Sequence, residues 1–235
     1  MNDEPVISPE TTPALRDYLG AGFDKVEQFG RLLADQGVTR GLIGPREVPR
    51  LWDRHLLNSA AVAQYLPADG ALVDVGTGAG LPGVVLACLR PDLHVVLLEP
   101  MERRVAWLTE VVEDLGLTSV DVVRGRAEDV RLDVPASAVT ARAVAPMDRL
   151  ALWTLPLLAV GGVLLAMKGS RAAEEVAAAH EQIQRLGGGE VEVLSATTIP
   201  EVTPTVVVRV VKERDAGRPK AATQRRGRRS TRAAR

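Results

Sequence analysis

The chain carries 235 residues with 29 Lys and Arg against 30 Asp and Glu, and 46% of it is apolar while only 3% is aromatic. Such a length supports a substantial core, which this composition must build from Val, Leu and Ala, and it excludes a short disulfide-stapled scaffold. Cys88 is the lone cysteine, which rules out an internal disulfide and fits a reducing, cytoplasmic setting.

Met1-Asn2-Asp3-Glu4-Pro5 has neither the basic start nor the apolar run of a secretory signal, and residues 1–13 read as a polar, disordered start. Over residues 14–33, Leu15, Leu19, Val26, Phe29 and Leu33 recur at helical spacing that breaks near Gly20 and Gly22. Two helices or one interrupted helix are expected there. A loop through Gly37, Gly41 and Gly44 leads to a helix over 47–65, in which Val48, Trp52, His55, Leu56 and Ser59 share a broad face. Residues 14–66 thus form an N-terminal helical extension. No apolar stretch reaches the roughly 20 residues of a membrane span, so no membrane partner is expected.

From Ala71 the pattern turns to α/β, and residues 67–211 read as one Rossmann-like domain. Strands are expected at 71–75, 94–99, 120–124, 138–143, 162–167, 190–196 and 205–211, the first five alternating with helices and the last two joined directly. This describes a seven-stranded, mostly parallel sheet with an antiparallel edge strand.

The run Val73-Asp74-Val75-Gly76-Thr77-Gly78-Ala79-Gly80-Leu81-Pro82-Gly83 joins the first strand to a helix. Gly78 to Gly83 formally fits the dinucleotide pattern G-x-G-x-x-G, with Glu99 21 residues beyond Gly78. An acid at Asp74, however, would face a pyrophosphate. It suits a ligand that brings a cationic ammonium, as S-adenosyl-L-methionine does, and the expected architecture is then a class I S-adenosylmethionine-dependent methyltransferase. Asp74 is also readable as an acceptor that organises the loop. Gly76, Gly78 and Gly80 would let the chain pass close to the donor and turn tightly. Glu99, at the end of the second strand, is placed to accept the ribose hydroxyls.

After the third strand, Ala127 and Glu128 stand where such enzymes face the adenine. Arg142 and Lys168 end the fourth and fifth strands, otherwise apolar, beyond which ligands of open α/β sheets bind. They are candidate catalytic and RNA-holding cations. Arg54 and His55 add to a basic face of the extension beside the same cleft. Neither an Asn-Pro-Pro-Tyr tetrad nor a pair of cysteines occurs, which argues against methylation of an adenine amino group or of a pyrimidine C5. A ring nitrogen such as guanine N7 bears no proton, so it needs alignment rather than a strong base. No metal ligand set is read from the sequence.

Residues 212–235 hold ten basic side chains against Glu213 and Asp215, a net charge of +8 that leaves −9 for the preceding 211 residues. A disordered cationic arm of this kind suits encounter with a polyanion.

Taken together, Arg54-His55-Leu56-Leu57-Asn58-Ser59, the glycine loop with its Gly-Leu-Pro-Gly ending, Arg90-Pro91, Arg142-Ala143-Val144-Ala145 and Lys168-Gly169 resemble the RsmG (GidB) family of bacterial small-subunit ribosomal RNA methyltransferases. The resemblance covers about residues 20–211. It implies transfer of a methyl group from S-adenosyl-L-methionine to guanine N7 of 16S rRNA. A small-subunit particle as the form of the substrate, no DNA partner and a monomer are the accompanying expectations. The resemblance further implies donor contacts from Gly76, Leu81, Ala127, Glu128 and Arg142, and RNA-facing roles for Arg54, His55, Arg142 and Lys168. Many members carry an Asn-Leu-Thr-like segment where this chain has Gly41-Leu42-Ile43-Gly44. Two other readings remain open at this point, a non-catalytic RNA-binding module and a nicotinamide oxidoreductase.

Overall fold

A computed structural model describes residues 7–9 and 12–217. The seven strands are β1 Ala71–Val75, β2 His94–Glu99, β3 Val120–Arg124, β4 Ala136–Arg142, β5 Leu158–Lys168, β6 Gly188–Ala196 and β7 Thr205–Lys212. They stand in the order β3-β2-β1-β4-β5-β7-β6, with β1 to β5 mutually parallel and β7 antiparallel to both of its neighbours. The sheet is therefore mostly parallel, as expected, but the reversed strand is one place in from the edge. The direct β6–β7 connection allows β7 to return between β5 and β6 and pair with both.

Alternation within the strands sorts the core into two layers. Leu72, Val95 and Leu97 face a cluster built with α1 (Ala14–Leu19), α2 (Phe23–Gln36), α3 (Leu57–Ala60), α4 (Gly83–Leu89) and α5 (Glu102–Asp114). Val73, Val75, Val96 and Leu98 face the other cluster, with α6 (Met147–Thr154) and α7 (Ala172–Arg185). A one-residue shift of register would exchange these two sets, so burial on both faces pins it.

Four expectations need adjusting. No helix stands between β3 and β4, where a turn and a loop carry Val130 and Leu132 onto the second layer. The helix expected over 47–65 is a composite, with a 3-10 turn at Pro45–Arg50, a π-helical turn at Trp52–Leu56, then α3 and a second 3-10 turn at Ala61–Tyr65. Pro49 contributes, since it removes a backbone donor inside the first turn. Of the start expected to be disordered, Ile7 is buried in the first layer, whereas residues 1–6, 10 and 11 lie outside the described residues. Of the tail, Lys212 still belongs to β7 and its ammonium donates to the Leu158 carbonyl at 2.7 Å, while residues 218–235 lie outside the described residues.

Candidate functional site

The carboxyl ends of β1, β2 and β4 converge on a cleft of about 440 Å³, within the range of small-molecule sites. Its floor is the glycine loop. Gly76 and Gly78 have φ of +67° and +59°, a region that glycine enters without strain, and the N–H of Gly76 donates to Leu98 O at 2.8 Å. Trp107, buried on α5, steadies the loop by donating its indole N–H to Ala79 O at 2.9 Å. Gly76, Gly78, Leu81, Glu99, His55 and Arg142 all line this cleft, so the structure brings together six of the residues singled out from sequence.

Glu99 is 2% exposed, and each of its oxygens takes a backbone donor: Gly78 N at 3.0 Å on Oε2 and Met101 N at 2.9 Å on Oε1. Each carboxylate oxygen has a second lone pair, so the group can hold the loop and still accept a ligand hydroxyl. Arg104, on α5, stands 3.7 Å from Glu99 and also lines the cleft.

Asp74 does not face the cleft. It is fully buried behind the loop, where Oδ2 accepts the N–H of Gly83 at 2.8 Å and Oδ1 accepts the hydroxyl of Thr140 at 2.9 Å. Burial pushes its carboxyl up to about 6, against the hydrogen bonds from Gly83 and Thr140 and the nearby Arg142 charge. The loop-organising reading therefore holds, and the argument that Asp74 would repel a pyrophosphate falls with it. Gly80, too, is structural. Its φ is +108°, and a Cβ there would meet Val84 at 2.7 Å and Phe29 at 3.0 Å.

The loop after β3 is tied beside the cleft, since Gly125 N donates to Glu99 O at 3.2 Å. Two of the residues expected to face the adenine, Ala127 and Glu128, follow on this loop. Ala127 is packed into the second core layer, and Glu128 is on the surface next to Arg126; neither lines the cleft.

Arg142 occupies a junction. It lines the donor-sized cleft and two further cavities of about 630 and 560 Å³, both of which also include Arg54 and Asn58. Its guanidinium donates to His55 Nδ1 at 2.7 Å and to Arg54 O at 3.1 Å, with longer reaches of 3.4 Å to His55 O and 3.5 Å to Ser59 Oγ. Desolvation lowers its pKa from the ordinary value. The next residue, Ala143, has φ +53°, an αL conformation that a side chain makes costly and that is found at sites held by their surroundings.

Lys168 is not a free cation. Its ammonium is buried and donates to Ala145 O and to Glu175 Oε2, both at 2.7 Å, and the same Glu175 oxygen accepts Met147 N at 3.1 Å. Lys168 thereby holds the segment after Arg142 in place, including Val144, whose methyl would lie 3.0 Å from a Cβ added at Gly76. Thr140, Arg104 and Glu47 were not singled out from the sequence, and Gly83 and Ile43 were named only within motifs. Thr140 carried a signal, being the one hydroxyl in the apolar centre of its strand.

Residues 23–202 match the family described as rRNA small subunit methyltransferase G. The ribosomal RNA small subunit methyltransferase G of Salinispora arenicola is 50% identical over 227 residues, covering 94% of each chain. Its counterpart from Nocardioides is 54% identical over 217 residues, 91% of this chain and 86% of its own, and that from Beutenbergia cavernae is 60% identical over 163 residues, 69% and 77%. Among solved structures, the tRNA (m1A58) methyltransferase TrmI of Aquifex aeolicus aligns with a TM-score of 0.53 at 17% identity, covering 67% of this chain and 68% of its own. A SAM-dependent O-methyltransferase of Thermotoga maritima aligns with a TM-score of 0.53 at 16% identity, covering 80% and 73%. These two likenesses show the fold, a Rossmann-like sheet.

Proposed function

The chain belongs to the rRNA small subunit methyltransferase G family, and from that premise we propose which residues hold the methyl donor and which meet the RNA. It is an enzyme that transfers a methyl group from S-adenosyl-L-methionine to N7 of a guanine in 16S rRNA. When bound, the donor supplies an electrophilic methyl group on a sulfonium. The protein supplies binding and alignment.

The cleft floored by Gly76 and Gly78 holds the donor, because bare backbone there leaves room that side chains would fill. Glu99 accepts the ribose hydroxyls with the lone pairs that the loop leaves open. Leu81 and Ile43 close the apolar flank. Ala127, through its backbone amide, and Glu128 face the adenine from the loop after β3, which Gly125 ties to Glu99.

The observation that carries the reading is the position of Arg142, which lines the donor-sized cleft and both larger cavities at once. Its two long contacts, at 3.4 and 3.5 Å, are weak, so that end of the fork is free to donate to a phosphate or to guanine O6. Guanine N7 loses no proton, so holding it in line with the donor is the main demand on the site. Arg54, exposed at the rim, meets phosphate, while Lys168, which lines the 560 Å³ cavity with it, sets the shape of the wall through Ala145 and Glu175. The substrate is the RNA within a small-subunit particle, and the enzyme acts as a cytoplasmic monomer without a membrane or DNA partner.

The test is to incubate the full chain and donor with unmodified small-subunit particles and map the modified nucleotide. A single guanine methylated at N7 is expected. Absence of transfer, or transfer to another atom, overturns the reading.

A further inference from the structure

His55 sits between two charged groups of opposite sign. Its Nδ1 meets Arg142 at 2.7 Å and its Nε2 meets Glu47 Oε2 at 2.8 Å, while Glu47 Oε1 takes Arg54 at 3.3 Å. Arginine only donates, so Nδ1 must be the acceptor and Nε2 must carry the hydrogen. Glu47, on the turn Pro45–Arg50, is an acceptor matched to that N–H. The π-helical turn Trp52–Leu56 places His55 and Arg54 so that their carbonyls also receive the guanidinium. Such insertions into a helix recur at functional sites.

We propose that Glu47 is a positioning residue for methyl transfer: it holds His55 as the Nε2–H tautomer, and Nδ1 in turn holds Arg142 at the junction of the donor cleft with the larger cavities. The inference rests on the functional reading above. It gives the N-terminal extension a part in the reaction, although Glu47 lines only one of the larger cavities and not the donor cleft.

Charge supports the same chain. Burial and the Arg142 charge lower the His55 pKa, whereas Glu47 opposes them, and the hydrogen bond to His55 holds Glu47 below the usual carboxylate range. The charges that face His55 are Glu47 and Arg54 on its own segment and Arg142 from β4, with Asp74 acting on Arg142 from β1. A protonated His55 loses its acceptor and repels Arg142. The enzyme should therefore lose activity as pH falls through the His55 pKa.

The test compares wild type, Glu47→Gln and Glu47→Ala in kcat/KM against pH on unmodified small-subunit particles, alongside ring-nitrogen NMR of His55. A misplaced positioning group can cost up to about 100-fold, so Glu47→Ala should drop by about tenfold or more. Glu47→Gln, whose carboxamide oxygen still accepts from Nε2–H, should recover most of that loss. Both variants lack the negative charge, so the acid limb should move to lower pH in each. Asp74 adds its own ionisation near 6 in all three proteins, which makes the displacement of the limb the readout. NMR should show the Nε2–H form in wild type and a mixture in Glu47→Ala. A wild-type rate and an unmoved limb in Glu47→Ala overturn the inference alone. An inactive wild type overturns the functional reading, and the tautomer populations then still decide whether Glu47 holds His55.

Discussion

Asp74 and Gly83 are joined by a buried hydrogen bond of 2.8 Å, from the first residue of α4 to the carboxylate at the tip of β1, nine residues back. No side chain fits at position 83, where a Cβ would lie 2.3 Å from Leu97 and 2.7 Å from Asp74 Oδ2. The glycine loop is thus closed from behind, by an acid that does not line the cleft. That contact explains why the Gly-Leu-Pro-Gly ending belongs with an acid at position 74.

Asp74 should therefore govern pH-dependent stability. Its folded-state pKa of about 6 lies above the ordinary 3.8, so the folded chain binds its proton more tightly than the unfolded chain. The stability this gives is complete below 3.8 and is lost as pH rises through about 6, a swing of about 3 kcal/mol. Asp74→Asn can accept from Gly83 N–H and donate to Thr140 while carrying no charge. Between pH 4 and pH 7, its unfolding free energy should rise relative to wild type by an amount of that order. Parallel denaturation curves across the range would contradict this. Asp74→Ala should behave otherwise, since orphaning two buried donors costs roughly 1–3 kcal/mol each at any pH.

Two glycines of the loop should separate stability from binding. Gly80→Ala forces a side chain onto φ +108° and against Val84 and Phe29, and should destabilise the fold by about 2 kcal/mol or more. At Gly78 the nearest atom to an added Cβ is 3.8 Å away, so Gly78→Ala should lose only about 1 kcal/mol of stability. Its donor affinity should fall further than that, because the Cβ enters the cleft. Calorimetric titration beside thermal melting checks both, and a Gly78→Ala protein with full donor affinity would remove the loop from the donor site.

Much of this was legible before the structure. Strands β1 to β3 matched their expected bounds because short Val and Leu runs end at Gly, Pro or charge, and the glycine loop follows β1 with too many glycines for an ordinary turn. What stayed hidden depends on partners distant in sequence. Whether Asp74 faces inward or outward is decided by Thr140, 66 residues away, and whether Lys168 is free is decided by Glu175 on the next helix. Ala127 and Glu128 were placed by analogy of position, and burial of the Ala127 methyl does not bear on the backbone amide expected there.

Lys168→Met should act on the wall rather than on charge in the cleft. It removes a buried ammonium from Glu175 and from the Ala145 carbonyl, which should cost about 2 kcal/mol, less than a wholly buried pair because Glu175 is partly exposed. The 144–146 segment loosens, and Val144 no longer backs Gly76. Hydrogen exchange at 144–147 should rise together with a severalfold weaker donor affinity. Unchanged exchange there would show that Glu175 and Ala145 need no cation between them.

Removing residues 218–235 deletes eight basic side chains and no acidic ones. Affinity for the RNA should fall, and the slope of log K against log salt should flatten by about 0.7–0.9 for each phosphate that the arm no longer neutralises. Donor affinity should not change, because the donor cleft is built upstream of them. Equal salt slopes for the full and shortened chains would show that this arm meets no phosphate.

Arg142→Lys tests the junction most directly. The guanidinium reaches acceptors on three residues, His55, Arg54 and Ser59, with one planar fork, and a Lys ammonium at the same place is a point donor on a flexible stem. It can satisfy His55 Nδ1 or the carbonyls but cannot span them while also presenting a donor to the substrate. Charge is kept, so long-range attraction for RNA and particle affinity should stay within a few-fold of wild type. Alignment is lost, so kcat should fall by about tenfold or more, up to the roughly 100-fold that a misplaced positioning group can cost. Rates measured with saturating particles separate the two effects. If kcat were retained while KM rose, Arg142 would be an RNA anchor only, and its place between the three cavities would have no part in catalysis.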